Sequence, residues 1–409
     1  MGKKNKEDSA LEAIAEKMSG KHLSESEIND FVYAVANNLI GKTEIANFLV
    51  AVQKRGMSFQ EIYWLTRAMV STGDTLHWNS KIVADKHCIG GVAGNRTTPI
   101  VVSICAAAGI LIPKTSSRSI TSAAGTADTM ETLARVKLSA SEVKRVVNKA
   151  GACIVWGGAF SLAPLDDMMI RIERALDINP VPQLLASIFS KKIAAGSTHI
   201  LIDIPYGLGA KVTHSQALKL KKDFILAGKK FGKKMRVVLT DGSQPIGRGI
   251  GPVLEMYDVL SVLDRKDYPE DLEKKSVFLA AELLELTGKA KPGQGKKLAM
   301  EILESGKAMK AFTKIVEAQG KTNLLIKAPH TLDIISKKSG RVRKIGNREI
   351  NSLAKTLGCP YEKGSGIYIH KHVGEKVLKG EKIMTLYAES KQKLGFAKSI
   401  ANKNIFNIS

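Results

Sequence analysis

From about Ser9 to Ser71 the apolar residues return every three to four positions, the spacing of helices that bury one face. Ile28, Phe31, Val32 and Val35 make one such stripe, and a serine at 24 with a glutamate at 27 precedes it. That pairing lets each side chain satisfy the other's free backbone N–H at a helix start. Two more helices are expected at 43–55 and 58–71, separated by Gly56. The first part of the chain therefore reads as a helical bundle without a sheet.

The texture changes near residue 80. Ile100 to Ile104, Ile154 to Trp156, His199 to Ile204 and Arg236 to Leu239 are short, β-branched stretches set between glycine-rich loops and helical segments. Strands alternating with helices predict an α/β sheet with largely parallel strands. A helical segment from Asp166 to Lys192 interrupts the alternation and returns the chain to the bundle. Beyond about Ile334, Gly364 to His370 and Glu381 to Tyr387 read as strands, with turn signals at Val373-Gly374 and Lys379-Gly380. The expected fold class is α/β with a helical domain and a small C-terminal α+β domain. The expected divisions are helical 1–76 and 159–194, α/β 77–158 and 195–335, and C-terminal 336–409.

Composition narrows the function classes. The 409 residues are 44% hydrophobic, ordinary for a packed protein. Residues 1–8 are polar and lysine-rich, no signal-peptide core follows them, and no apolar run reaches the roughly 20 residues of a membrane span. Cys88, Cys105, Cys153 and Cys359 form no CxxC pair, so reduced thiols in a cytoplasm are expected. His199, His214, His330, His370 and His372 show no ligand spacing, and no metal or redox cofactor is expected. The formal charge is +23, yet the lysines lie in scattered doublets and triplets without interleaved aromatics. A specific nucleic-acid partner is therefore not expected; a positive field that concentrates phosphate-bearing small substrates is.

Two loops carry candidate chemistry. Asp85-Lys86-His87-Cys88-Ile89-Gly90-Gly91-Val92-Ala93-Gly94-Asn95-Arg96-Thr97-Thr98 joins a short apolar stretch to a helical one. Glycines admit an anion close to the backbone, a helix N-terminus offers free N–H groups, and a lysine and hydroxyls complete a phosphate cradle. It matches neither GxxxxGK[ST] nor GxGxxG, and a plain glycine turn between strand and helix has the same composition. The second loop, Lys114 to Glu131, packs hydroxyl and basic residues behind an apolar run ending at Pro113. Elsewhere, Trp156 is expected in the core and Asp166-Asp167 at a helix border. Asp241, Ser243 and Gln244 suit either a cleft or a turn.

The stretch from Asp85 to Glu131 resembles the thymidine phosphorylase family, in the branch that includes archaeal AMP phosphorylases. The resemblance continues through Cys153 to Gly158, Gln183 to Ile188, Asp203-Ile204-Pro205, Thr240 to Gly247 and Lys363 to Ile367. It implies a nucleoside phosphorylase/phosphoribosyltransferase-like architecture, a homodimer, and inorganic phosphate as co-substrate. The phosphate contacts it implies fall on Lys86, Cys88, Thr97, Ser116 and Thr126. Nucleotide contacts fall on Gly91, Ser117, Arg118, Ser119, Ile120, Thr121, Ser122, Thr126, Ser187 and Lys211, with His87 and Lys191 near the base.

Two departures qualify the substrate. Ile172 stands where thymidine phosphorylases place an arginine against the pyrimidine, and Arg171 is one residue out of register. Asn179 stands where AMP phosphorylases place a proton-donating aspartate, and an amide does not release a proton as a carboxylic acid does. The leading expectation is phosphorolysis of AMP to adenine and ribose 1,5-bisphosphate. The runner-up is a thymidine or uridine phosphorylase. A phosphoribosyltransferase of the anthranilate type would call for magnesium, and a nucleotide-binding protein without turnover is the non-catalytic alternative.

Overall fold

The computed structural model describes residues 5–94, 96–119, 122–159, 162–401 and 405–409. Helices α1 (Lys6–Ser19), α2 (Glu25–Ala36), α3 (Lys42–Arg55) and α4 (Phe59–Ser71) come first. Next are β1 (Ala84–Cys88), α5 (Thr97–Ala107), β2 (Ile112–Ser116), α6 (Thr126–Met130), α7 (Ala140–Ala150) and β3 (Ala152–Trp156). After α8 (Pro164–Leu176) and α9 (Val181–Ala194), the chain runs through β4 (His199–Tyr206), α10 (His214–Lys230), β5 (Lys234–Asp241) and β6 (Gly249–Ile250). Four helices succeed them, α11 (Pro252–Asp264), α12 (Glu270–Leu286), α13 (Gly295–Glu304) and α14 (Lys307–Gln319). The last part holds β7 (His330–Ile335), β8 (Gly340–Ile345), α15 (Asn347–Thr356), β9 (Gly366–Ile369), β10 (Lys376–Val377), β11 (Lys382–Ala388), α16 (Lys391–Ala401) and β12 (Phe406–Ile408). Among the described residues no helix is long and apolar enough to cross a membrane.

One compact unit comprises Met1–Lys81, Gly157–Thr198 and Leu226–Lys233, so α8 and α9 join α1 to α4 across a long sequence gap. Its core stacks Phe31 on Phe48 at 3.9 Å between ring centres and includes Leu65, Met69, Met169 and Ile172. Ser24 and Glu27 form the expected reciprocal cap on α2, and Ser58 and Glu61 form a second on α4. Glu61 does more than cap. Fully buried, it takes a hydrogen bond from Lys17 Nζ at 2.7 Å, from Leu23 N at 3.0 Å and from Ser58 N at 2.7 Å, and contacts His22 Nδ1 at 2.9 Å. Burial alone would raise its pKa, but these partners outweigh it and hold the carboxyl at about 2.

The second unit, Ile82–Trp156, His199–Ile225 and Lys234–Ser409, contains the sheets. Strands β1, β4 and β5 are parallel in the order β1-β4-β5, and β2 pairs in parallel with β3. The expected strand at Ile100 to Ile104 is instead the middle of helix α5. Every residue from Thr97 to Cys105 is buried, because α12 and α14 pack on α5 from other sides. A helix enclosed all round loses its polar stripe, and its sequence then reads like that of a buried strand. Towards the C-terminus, β6-β9-β11-β7 form an antiparallel sheet and β10-β8-β12 a smaller one. Gly374 and Gly380 have φ of 95° and 86° at the two signalled turns, a region that glycine enters without steric cost.

Replacing Glu61 with glutamine leaves Lys17 buried beside a neutral group and should lower stability by about 3–5 kcal/mol, read as the shift in urea unfolding at pH 7. Because the folded pKa lies below the ordinary value of 4.5, the stabilisation is present above that pH and is lost as pH falls towards about 2.

Candidate active site

Parallel strands place their C-terminal ends at one edge of a sheet, where such folds bind ligands. Lys86 lies on β1 close to that edge and is fully buried. Its Nζ donates to Thr97 Oγ1 at 2.8 Å and to Thr98 Oγ1 at 3.3 Å, while the Thr97 hydroxyl donates to the Gly94 carbonyl at 2.8 Å. Both threonines open α5, so a buried ammonium and the positive end of a helix meet at one place. An anion there is favoured by both.

Sterics explain the glycines. A Cβ at Gly90 would sit 2.2 Å from Pro205 Cγ, and one at Gly94 would sit 2.4 Å from Cys88 Sγ. Gly91 has φ of 59°, and its missing Cβ would meet Lys211 Cε at 3.5 Å. Lys211 has exposed surface, yet burial chiefly, with Lys355 next, lowers its pKa. The Cys88 thiol is pushed up to about 11 by burial and by Asp203, against Lys86 and Lys275, so it is a neutral, weak donor. His87 is half-buried on the same strand.

The second loop leaves β2 at Ser116, whose Oγ is buried and has no hydrogen-bond partner among the described residues. Asp128 on α6 shapes the rest of the loop, accepting from Ser119 N at 2.7 Å and Gly125 N at 3.0 Å. Arg118 donates to Asp128 at 3.0 Å and to both oxygens of Glu131 at 2.8 and 2.5 Å, and its guanidinium lies 5.1 Å from the Trp156 ring. The Glu131 carboxyl is held at about 2, chiefly by Arg118. Arg118 thus braces the loop, and Trp156, half-buried, packs on the core while carrying Arg118 on its face. Ser117 is exposed, Ser122 donates to the Ala124 carbonyl at 2.8 Å, and Thr126 opens α6. Ile120 and Thr121 lie outside the described residues.

Buried ion pairs that sequence reasoning did not single out surround the two loops, and two of them link one loop to the other. Arg96 reaches Glu255 Oε1 at 3.2 Å, and Thr129 of α6 donates to the other oxygen at 3.3 Å. Lys114 on β2 stands 3.5 Å from Asp85 on β1. Lys275 donates to the Ala93 carbonyl at 2.9 Å and stands 3.5 Å from Asp203, which accepts from Thr240 at 2.6 Å. Their burial depends on contacts between residues distant in sequence, and nothing local in the sequence marks it.

In the helical unit, Ser187 and Lys191 of α9 converge on α8. Ser187 Oγ donates to Asp166 at 2.7 Å, and Lys191 Nζ reaches Asp166 at 2.8 Å and Asp167 at 3.0 Å. Burial opposes the charge on Lys191, but the two aspartates prevail and raise its pKa above the ordinary value. Ile172 belongs to the helical core, while Arg171 and Asn179 are exposed.

The family model described as glycosyl transferase family, a/b domain, matches residues 80–309, and its helical bundle counterpart matches 11–73. The pyrimidine nucleoside phosphorylase C-terminal domain matches 341–406. The chain belongs to this glycosyl transferase and pyrimidine nucleoside phosphorylase family. It is 48% identical over 390 residues to a Legionella pneumophila (strain Corby) protein named "Putative thymidine phosphorylase", covering 95% of this chain and 75% of that one. It is 45% identical over 396 residues to an AMP phosphorylase of Methanococcus aeolicus, covering 95% and 79%. The fold also matches the crystal structure of anthranilate phosphoribosyltransferase from Thermus thermophilus, with TM-score 0.63, 19% identity, and 75% and 99% of the two chains covered.

Gly125 tests the loop geometry. A Cβ there would lie 2.6–2.7 Å from the backbone of Ser117, Arg118 and Ser119, which no rotamer change relieves. Gly125→Ala should therefore displace the hydroxyl loop and weaken phosphate binding at least about tenfold, measured by titrating the protein with inorganic phosphate in a calorimeter.

Proposed function

We propose that the protein cleaves the N-glycosidic bond of a nucleoside 5′-monophosphate with inorganic phosphate, turning AMP and phosphate into adenine and ribose 1,5-bisphosphate. The observation that carries this reading is the buried hydroxyl of Ser116, without a hydrogen-bond partner among the described residues, on a loop cross-linked to the one that carries Lys86. An acceptor with several oxygens satisfies both groups. Phosphate is such an acceptor, and with Lys86, Thr97, Ser116 and Thr126 around it, it offers an oxygen to C1′ while its charge stabilises the positive sugar of the transition state. Cys88 contributes a neutral donor beside them. We assign base contacts to Ser187, Lys191 and His87, and nucleotide contacts to Gly91, Lys211 and the 117–122 stretch. The enzyme works as a homodimer in the cytoplasm, where its four free thiols remain reduced.

Thymidine or uridine phosphorolysis is the second reading, favoured by the 48% identity to the Legionella protein. Ile172 in the helical core and the exposed Arg171 support the nucleotide instead, since neither provides the buried cation that holds a pyrimidine carbonyl. Phosphate-dependent base release across AMP, CMP, UMP, thymidine and uridine decides between them. In the same assay Lys86→Ala should raise the phosphate concentration for half-maximal rate and lower kcat by about a hundredfold or more. An unchanged phosphate dependence would contradict the cradle.

A further inference from the structure

The turn between β4 and α10 carries Gly207, Gly209 and Lys211. Gly207 and Gly209 have φ of 132° and 79°, and Leu208 between them is 72% exposed. A solvent-facing segment with two such glycines gains little order from its own residues. At its end, Lys211 approaches the glycine-rich loop, with Cε 3.5 Å from the place of the missing Gly91 Cβ. Lys355 of α15 adds a second positive charge near Lys211, and a phosphate group beside them relieves their repulsion.

A side chain from a distant segment fastens this turn. Asn347, the first residue of α15 and 7% exposed, donates from Nδ2 to the Gly209 carbonyl at 3.3 Å and to the Gly242 carbonyl at 2.8 Å. It thereby joins the turn after β4 to the turn after β5. The carbonyls also fix the amide's orientation, since the reverse would set its oxygen against both of them. Asn347 Oδ1 is buried without a hydrogen-bond partner among the described residues, so the amide is kept there at a desolvation cost. The helix behind it is firmly seated: Ile350, Leu353 and Leu357 share one core with Val92 of the glycine-rich loop and Ala123 of the hydroxyl loop. All of these residues belong to the second compact unit.

We propose that Asn347 is a positioning residue that, through Gly209, sets Lys211 beside Gly91, where the ammonium meets the phosphate group of a nucleoside 5′-monophosphate. This rests on the nucleotide reading above and adds to it a determinant of substrate affinity from the C-terminal part of the chain. Asn347 acts through the lysine rather than on the substrate.

Calorimetric titration with AMP tests the assignment in the wild type, Asn347→Ala, Lys211→Ala and the double variant. Each single replacement should weaken AMP binding about tenfold. The double variant should bind at most about twofold more weakly than Lys211→Ala alone, because both changes remove one interaction. Affinity of Asn347→Ala for inorganic phosphate should stay within about threefold of the wild type, since the groups around Lys86 are held by other contacts. An asparagine that only supports the fold would lower both affinities, and its effect would multiply with that of Lys211→Ala. Should Asn347→Ala melt far below the wild type, Asn347→Leu, which fills the space without a donor, takes its place with the same expectations. AMP affinity within about twofold of wild type in the Asn347 variant, an equal loss of phosphate affinity, or multiplied losses in the double variant would overturn the inference; phosphate-dependent adenine release by the wild type would then leave the parent reading standing. A wild-type protein that neither binds AMP nor releases adenine from it overturns both.

Discussion

A fully buried lysine near the end of β1, beside the N-terminus of α5, is the constraint on which the glycine-rich loop and its surroundings depend. Removing an ammonium from water is costly, and placing it near the positive end of a helix adds to the cost. The hydroxyls of Thr97 and Thr98 meet part of the demand. Glycines at 90 and 94 arise from the same crowding, since Pro205 and the Cys88 sulfur occupy the space any side chain would need. Around this centre, Arg96–Glu255, Lys114–Asp85 and Lys275–Asp203 pair charges deep inside the unit. Such pairs add little net stability over apolar packing, but each joins elements distant in sequence, and Lys114–Asp85 and the Arg96–Glu255–Thr129 contacts fix one loop against the other.

The helical unit applies the same physics to a different end. Asp166 gathers three donors from α9, and Glu173, two turns further along α8, has an oxygen without any among the described residues. Two carboxyl groups on one face thereby acquire opposite tendencies, one to accept hydrogen bonds as an anion and one to keep its proton. Family membership establishes the class of chemistry. Which base leaves, and how it is protonated, depends on details of this kind.

Much of the architecture was legible along the chain. The Ser24 and Glu27 cap, the turns at Gly374 and Gly380, the strands from His199 and Arg236, and the two loops all rest on short-range rules: helical spacing, turn stereochemistry and clustered donors. Helix α5 was misread because its enclosure by α12 and α14 removes the polar stripe by which a helix is recognised. At the site, the fold gives the Arg118 guanidinium to Asp128, Glu131 and Trp156, partners that nothing local in the sequence marks.

By itself, then, the sequence determined where glycines, hydroxyls and a lysine fall within one short stretch, and with it a loop between strand and helix whose local geometry suits an anion. Tertiary structure decided which polar groups are buried and whether each finds a partner. Asp203, Lys275, Glu255 and Glu173 look like any other charged residues in the chain. Proton affinity and hydrogen bonding are set by neighbours brought together from distant segments, and only the folded arrangement supplies those neighbours.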